Sequence, residues 1–124
     1  MALAALVLAV AAALLHVLIF AFESVLWTRP SVYRRFGLTS QADADTTRPM
    51  AYNQGFYNLF LAIGALTGVI MVIAGSSYGW PLIIFSCGCM FAASLVLVTT
   101  GKRYLRAAAS QGTSPLLALL ASPL

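Results

Sequence analysis

His16, Glu23, Asn53, Gln54, Tyr57 and Asn58 lie in or beside stretches that are otherwise apolar. In a helix, His16, Phe20, Glu23 and Trp27 fall on one stripe, at spacings of four, three and four. An acidic side chain near the bilayer centre costs about 2.5–3.5 kcal/mol on insertion scales, so an ionisable residue there is read first as functional. A carboxyl in a dry site must be held by a partner or carry a proton. A protonated Glu23 held by Asn and Tyr donors is a general acid. His16, Asn53 and Tyr57 would orient a substrate or take up a proton. Phe20, Trp27, Phe56 and Phe60 would wall an apolar pocket and stabilise a cation with their π faces, with Gln54 and Asn58 as its polar contacts. The plainer alternative is that Asn, Gln and His act as interhelical hydrogen-bond partners, worth about 0.6–2 kcal/mol each. That alternative competes evenly for Asn53, Gln54 and Asn58, is slightly favoured for His16, and does not suffice for Glu23.

The elements that must position these residues are membrane helices. Of 124 residues 61% are hydrophobic and 8% charged, against about 45–50% and about 25% in a soluble domain. Four apolar segments, about 2–27, 52–74, 80–102 and 112–124, predict an all-α fold: one integral membrane domain built as a four-helix transmembrane bundle. The fourth segment reaches only about half to two-thirds of the hydrocarbon thickness. "MALAALVLAV" carries no Lys or Arg and no small-residue cleavage site follows "ESVLW", so the first segment reads as an anchor rather than a cleaved leader.

Arg29, Arg34, Arg35 and Arg48 fall in the first loop, and Lys102, Arg103 and Arg106 in the third; these are all seven basic residues. The positive-inside rule therefore puts the long first loop and the basic third loop in the cytoplasm and both termini outside. The net charge of +4 is then explained by orientation and lipid head groups rather than by nucleic acid. Trp27, Tyr33 and Tyr52 fall at the expected cytoplasmic boundary, and Tyr78 and Trp80 at the outer one. The expected location is a membrane, as a multipass protein with the first and third loops on its cytoplasmic side.

This topology brings Glu23, Asn53, Gln54, Tyr57 and Asn58 to one depth, with His16 beneath them. The expectation is a polar-bottomed, aromatic-walled cavity open to the cytoplasm. Gly64 and Gly68 form a small-x-x-x-small step for close helix approach. The first loop, of about 25 residues, is polar and long enough to be functional. Its Asp43 and Asp45 form a D-x-D pair that can hold Mg²⁺, although solvation accounts for them as well. Cys87 and Cys89 point to different helix faces and serve packing. With a single histidine and no phosphate-binding glycine loop, H-E-x-x-H or nucleophile elbow, neither metal nor cofactor is expected.

The His16…Glu23…Trp27 stripe, "RRF" at 34–36, "NQGFYNLFLAIG" at 53–64 and the tail "QGTSPLLALL" resemble the family called domain of unknown function 1304. The resemblance covers nearly the whole chain and implies a small bacterial integral membrane protein with four helices. The family brings no activity with it. In size, architecture and embedded acid, the chain also resembles the small membrane-bound terpene cyclases of bacteria, which start a cation cascade with an acidic residue.

Two functions follow as expectations. One is a cofactor-independent cyclase or isomerase acting on a lipophilic, terpenoid or prenylated substrate, with Glu23 protonating an alkene or epoxide and a dry site protecting the cation. The other is a non-enzymatic protein: a proton-coupled carrier or channel subunit, which at this size would have to form a homo-oligomer, or a membrane-complex partner. Beyond His16 the outer half offers only Thr67, Ser86 and Ser94 as polar groups. A site closed on the outside favours the enzyme.

Overall fold

The computed structural model describes residues Met1–Pro123, and all regular structure among them is helical. Helix α1, Ala2–Phe20, runs directly into a π-helical turn, Ala21–Val25. The short helix α2, Pro30–Tyr33, and a 3₁₀ turn, Arg34–Phe36, lead to α3, Gln41–Ile73. Helix α4, Gly79–Thr99, a 3₁₀ turn, Lys102–Tyr104, and α5, Leu105–Ala121, complete the chain. Three segments, Ala2–Val25, Gln41–Ile73 and Gly79–Thr99, are long and apolar enough to cross a membrane. That is the mark of an all-α membrane protein. Helix α5, at 17 residues with Pro115 inside it, is not one of the three.

The described residues divide into two compact units, residues 1–15 with 61–124, and residues 16–60. In the first, Ala9 of α1, Val69 of α3, Ile83 and Cys87 of α4 and Ala118 of α5 form a core cluster. Small residues let the backbones approach. A Cβ on Gly68 would lie 2.7 Å from the Gly79 carbonyl oxygen, and one on Gly64 would lie 2.6 Å from Ser86 Oγ. Both glycines of the expected small-residue step thus meet α4, where dispersion contacts replace the hydrophobic drive that lipid removes.

The second unit closes over Trp27, Tyr33, Ala44 and Ala51, with Phe36 and Leu38 packed against them. Gly37 reverses the chain with φ 85°, a left-handed conformation that glycine adopts without a Cβ penalty. Trp27 packs against Phe36 with its ring tilted and the centroids 4.9 Å apart, and donates from Nε1 to Thr47 Oγ1 at 3.1 Å. Gln41 Nε2 donates to the Thr28 carbonyl at 3.1 Å. Trp27 and Tyr33 are therefore core residues of this unit rather than the interfacial anchors expected from their position. Tyr52 and Tyr78 are exposed as such anchors would be.

Helix boundaries differ from expectation mainly at α3, which begins at Gln41 rather than near residue 52. Pro49 removes one backbone donor but does not end the helix. A cap that a composition-based reading passes over starts it: the Asp43 amide donates to Ser40 Oγ at 3.1 Å, the first half of a capping box. Asp43 in the first turn complements the helix dipole, and Asp45 accepts from Gln41 Nε2 at 3.1 Å. The D-x-D pair thus belongs to a helix start. At 33 residues α3 is about 50 Å long against a hydrocarbon core of about 30 Å, so its first turns lie beyond the apolar layer. Helix α4 stops at Thr99 where 102 was expected. Helix α5 starts at Leu105, seven residues before the apolar tail, because Leu105–Gln111 is rich in helix-forming Ala although Arg106, Ser110 and Gln111 interrupt its apolar pattern.

Ser40→Ala should cost the start of α3 about 1 kcal/mol. Amide exchange across residues 41–44 would then speed up while α4 is unchanged; equal protection in both proteins would show that the cap is dispensable.

Candidate functional site

The site is built where the end of the first span meets the middle of α3, wholly inside the unit of residues 16–60. From His16 to Trp27 the buried positions are His16, Ile19, Glu23 and Trp27, at three- and four-residue steps. Glu23 lies in the π-helical turn, closed by the Leu26 amide donating to the Ala21 carbonyl at 2.9 Å. Single π turns of this kind widen a helix locally and are frequent at functional sites.

Opposite it, α3 presents Gly55. A Cβ there would collide with Ser24 Oγ and sit 3.1 Å from Glu23 Cβ, so only glycine allows this approach. Ser24 Oγ donates to the Tyr52 carbonyl at 2.8 Å, fixing the crossing. One turn further along α3, Asn58 Nδ2 donates to Glu23 Oε1 at 2.7 Å and to the Gln54 carbonyl at 3.3 Å. Both amide hydrogens are thereby used and the side chain is locked. Glu23 is 9% exposed. No buried side-chain nitrogen or oxygen among the described residues lacks a hydrogen bond.

Beside this pair Phe20 meets Phe56 edge to face at 5.1 Å. Phe56 in turn contacts Tyr52 at 5.0 Å and Phe60 at 6.1 Å. The rings form a series along one side of the crossing. Arg35 lies over the Phe22 ring at 5.4 Å, a cation–π contact at the same end of the span.

Burial separates the expected site residues. Asn53, Gln54, Tyr57 and Phe60 are all exposed, Tyr57 by 59% and Phe60 by 60%. The hydrogen bond to Glu23 comes from Asn58, and Gln54 supplies a backbone carbonyl. Trp27 is committed to Phe36 and Thr47. His16 is buried at 2% exposure, on the same side of the first span as Glu23. A cavity of about 180 Å³ does occur, but it lies between α4 and α5. Among the described residues no three His, Cys, Asp or Glu side chains gather as metal ligands.

Gly55 is the residue that sequence reasoning missed. Its signal was present: Ala51, Gly55, Asn58, Ala62, Ala65 and Val69 recur at steps of three and four, and all but Asn58 are buried. This row of small residues is the packing face of α3, and Asn58 is its one polar member.

An all-α chain with three membrane-spanning candidates and a buried carboxyl–amide pair at a helix crossing defines a small integral membrane protein. The chain belongs to the family described as Protein of unknown function (DUF1304), whose family model matches residues 9–122. The match takes in Glu23, Gly55 and Asn58 and does not extend to terpene cyclases. No curated protein and no solved structure matches the chain.

Gly55→Ala should push the two backbones apart and cost about 1–3 kcal/mol, the usual range for overpacking. Gly88→Ala, where a Cβ meets nothing within 4 Å, should leave stability level or raise it. Thermal unfolding of both variants in detergent checks the contrast, and equal midpoints would remove Gly55 from the crossing.

Proposed function

We propose that the protein is a membrane-embedded enzyme that protonates a lipophilic substrate from Glu23. The observation that carries this reading is the 2.7 Å hydrogen bond from Asn58 to a carboxyl that is 9% exposed within an apolar span. Holding an acid in hydrocarbon costs more than one interhelical hydrogen bond returns, about 2.5–3.5 against about 0.6–2 kcal/mol. Stability alone does not explain its place. Asn58 orients the carboxyl, and Phe20, one turn before Glu23, with Phe56, which it meets edge to face, would offer π faces to a cation.

The reaction class is acid-initiated isomerisation or cyclisation of a terpenoid or prenylated compound. Glu23 gives a proton to an alkene or epoxide, the cation closes a ring or rearranges, and a proton leaves to the Glu23 carboxylate or to His16. The product is an isomer of the substrate, and the step balances without redox cofactor or metal. A substrate of this kind reaches the site sideways from the lipid, past the exposed Tyr57 and Phe60.

A second reading is a non-enzymatic multipass protein, a carrier or channel subunit or a complex partner. The packing of Phe20, Tyr52, Phe56 and Phe60 on one another, rather than around an enclosed space, favours it.

The basic residues of 26–40 and 100–106 are read as cytoplasmic in a bacterial inner membrane, with the Ala74–Tyr78 turn outside and α5 completing a four-helix bundle with both termini outside. Alkaline phosphatase joined after Ser77 is then active and after Gly101 inactive; the reverse pattern inverts the topology. Activity of a fusion at the C-terminus reports that α5 crosses.

Glu23→Gln separates the two functions because its side-chain carbonyl still accepts from Asn58 while it delivers no proton. Membranes holding each protein are incubated with prenylated aromatic and epoxidised terpenoid substrates, and products are followed by mass and retention. Conversion by wild type that falls at least about 100-fold in a folded Glu23→Gln supports the enzyme, the usual size of a general-acid contribution. Conversion that survives the change removes Glu23 as the donor. No conversion by wild type puts the second reading first.

A further inference from the structure

We infer that the groove between α4 and α5 binds an anionic phospholipid, with an acyl chain in the groove and the phosphate at the Lys102–Arg106 end. The groove belongs entirely to the unit of residues 1–15 and 61–124 and is independent of the Glu23 site. Its floor is Ser94, Ala108 and Gly112, all buried, and Leu95, Ala109 and Thr113 form an exposed rim. The small residues of α5 create the space. A Cβ on Gly112 would collide with Ser94 Oγ, so α5 sits close to α4 there and leaves the flanking volume unfilled.

Volume and chemistry identify the occupant. The space measures about 180 Å³, below the roughly 300–1,000 Å³ of drug-sized pockets, which suits a stretch of chain rather than a whole folded molecule. The two lining hydroxyls point inward to their own helices: Ser94 Oγ donates to the Phe91 carbonyl at 2.6 Å and Thr113 Oγ1 to the Ala109 carbonyl at 2.5 Å. What remains for a ligand is apolar surface. It follows α4 from Phe91 to Val98, about 10 Å at the helical rise.

Charge identifies the lipid class. Leu105, a lining residue, lies between Arg103 and Arg106, and Lys102 begins the same turn. All three cations are exposed. Arg103 is steadied by Tyr104, whose hydroxyl accepts from its guanidinium at 2.8 Å and whose ring lies 4.8 Å below it. This unit contains no Asp or Glu side chain to pair with them, since the protein's acids are Glu23, Asp43 and Asp45. An apolar groove ending at three exposed cations complements a phospholipid with net negative charge.

Native mass spectrometry of the purified full chain, titrated with dioleoyl phosphatidylglycerol or dioleoyl phosphatidylcholine, tests this. Phosphatidylglycerol should bind wild type in preference. Lys102→Gln, Arg103→Gln and Arg106→Gln should each weaken it about fivefold, the attraction of one juxtamembrane cation. Ala109→Phe or Thr113→Phe, which fill the groove from its exposed rim and keep every charge, should also weaken it; circular dichroism checks their helical content. Undiminished binding in both filled variants would reduce the effect to general surface attraction and overturn the proposal. So would equal binding of phosphatidylcholine. A wild-type dimer that becomes monomeric in the filled variants would assign the groove to a second copy of the chain instead.

Discussion

A carboxyl inside an apolar span has two acceptable surroundings, a hydrogen-bonding partner on the protein or a path to water. The details around Glu23 follow from the first. Asn58 reaches it only because the backbones come together at Gly55, and they come together only because Gly55 has no Cβ for Ser24 to strike. Ser24 then ties itself to the Tyr52 carbonyl, and the second hydrogen on the Asn58 amide goes back to the Gln54 carbonyl. Remove the glycine and the amide no longer meets the acid. Remove the amide and the glycine brings two helices together around a buried carboxyl with nothing to hold it, which is the costlier failure.

The first span tolerates this acid because it is otherwise strongly apolar. Between Ala2 and Val25 it holds thirteen Leu, Val, Ile and Phe residues. Each lowers insertion free energy by about 0.3–0.6 kcal/mol near the helix centre. Their sum exceeds the cost of one acidic side chain, so the helix enters the membrane despite Glu23. The same comparison separates tolerance from benefit. By the same scales an apolar residue at 23 would insert more favourably, so the carboxyl is tolerated by the span rather than needed for its insertion.

The all-α membrane class was legible from composition, because 61% hydrophobic residues admit no soluble core of this size, and Glu23 stood out as a lone acid in an apolar run. Its partner did not. Asn53, Tyr57 and Asn58 are all polar and lie within six residues, and depth alone cannot choose between them. What chooses is rotation about α3, set by the small-residue row from Ala51 to Val69, and small side chains in an apolar run are far less conspicuous than the polar ones beside them. The start of α3 was hidden for a related reason. "TSQADAD" reads as a polar loop by composition, yet Ser40 and Asp43 three apart are a helix start by mechanism. Pro49 misleads in the same direction, because a proline in a long helix costs one hydrogen bond without ending it when packing holds both sides.

Aromatic residues show how far position can stand in for environment. Trp27 and Tyr52 both lie near the end of an apolar segment, where an indole or phenol does well at the membrane interface. Tyr52 does remain exposed, whereas Trp27 is buried because Phe36 offers a ring face and Thr47 an acceptor for its Nε1 hydrogen. A buried indole needs such an acceptor, and only the folding of residues 28–47 supplies one. The segment between the first span and α3 therefore works as structure: it encloses Trp27 one turn beyond Glu23.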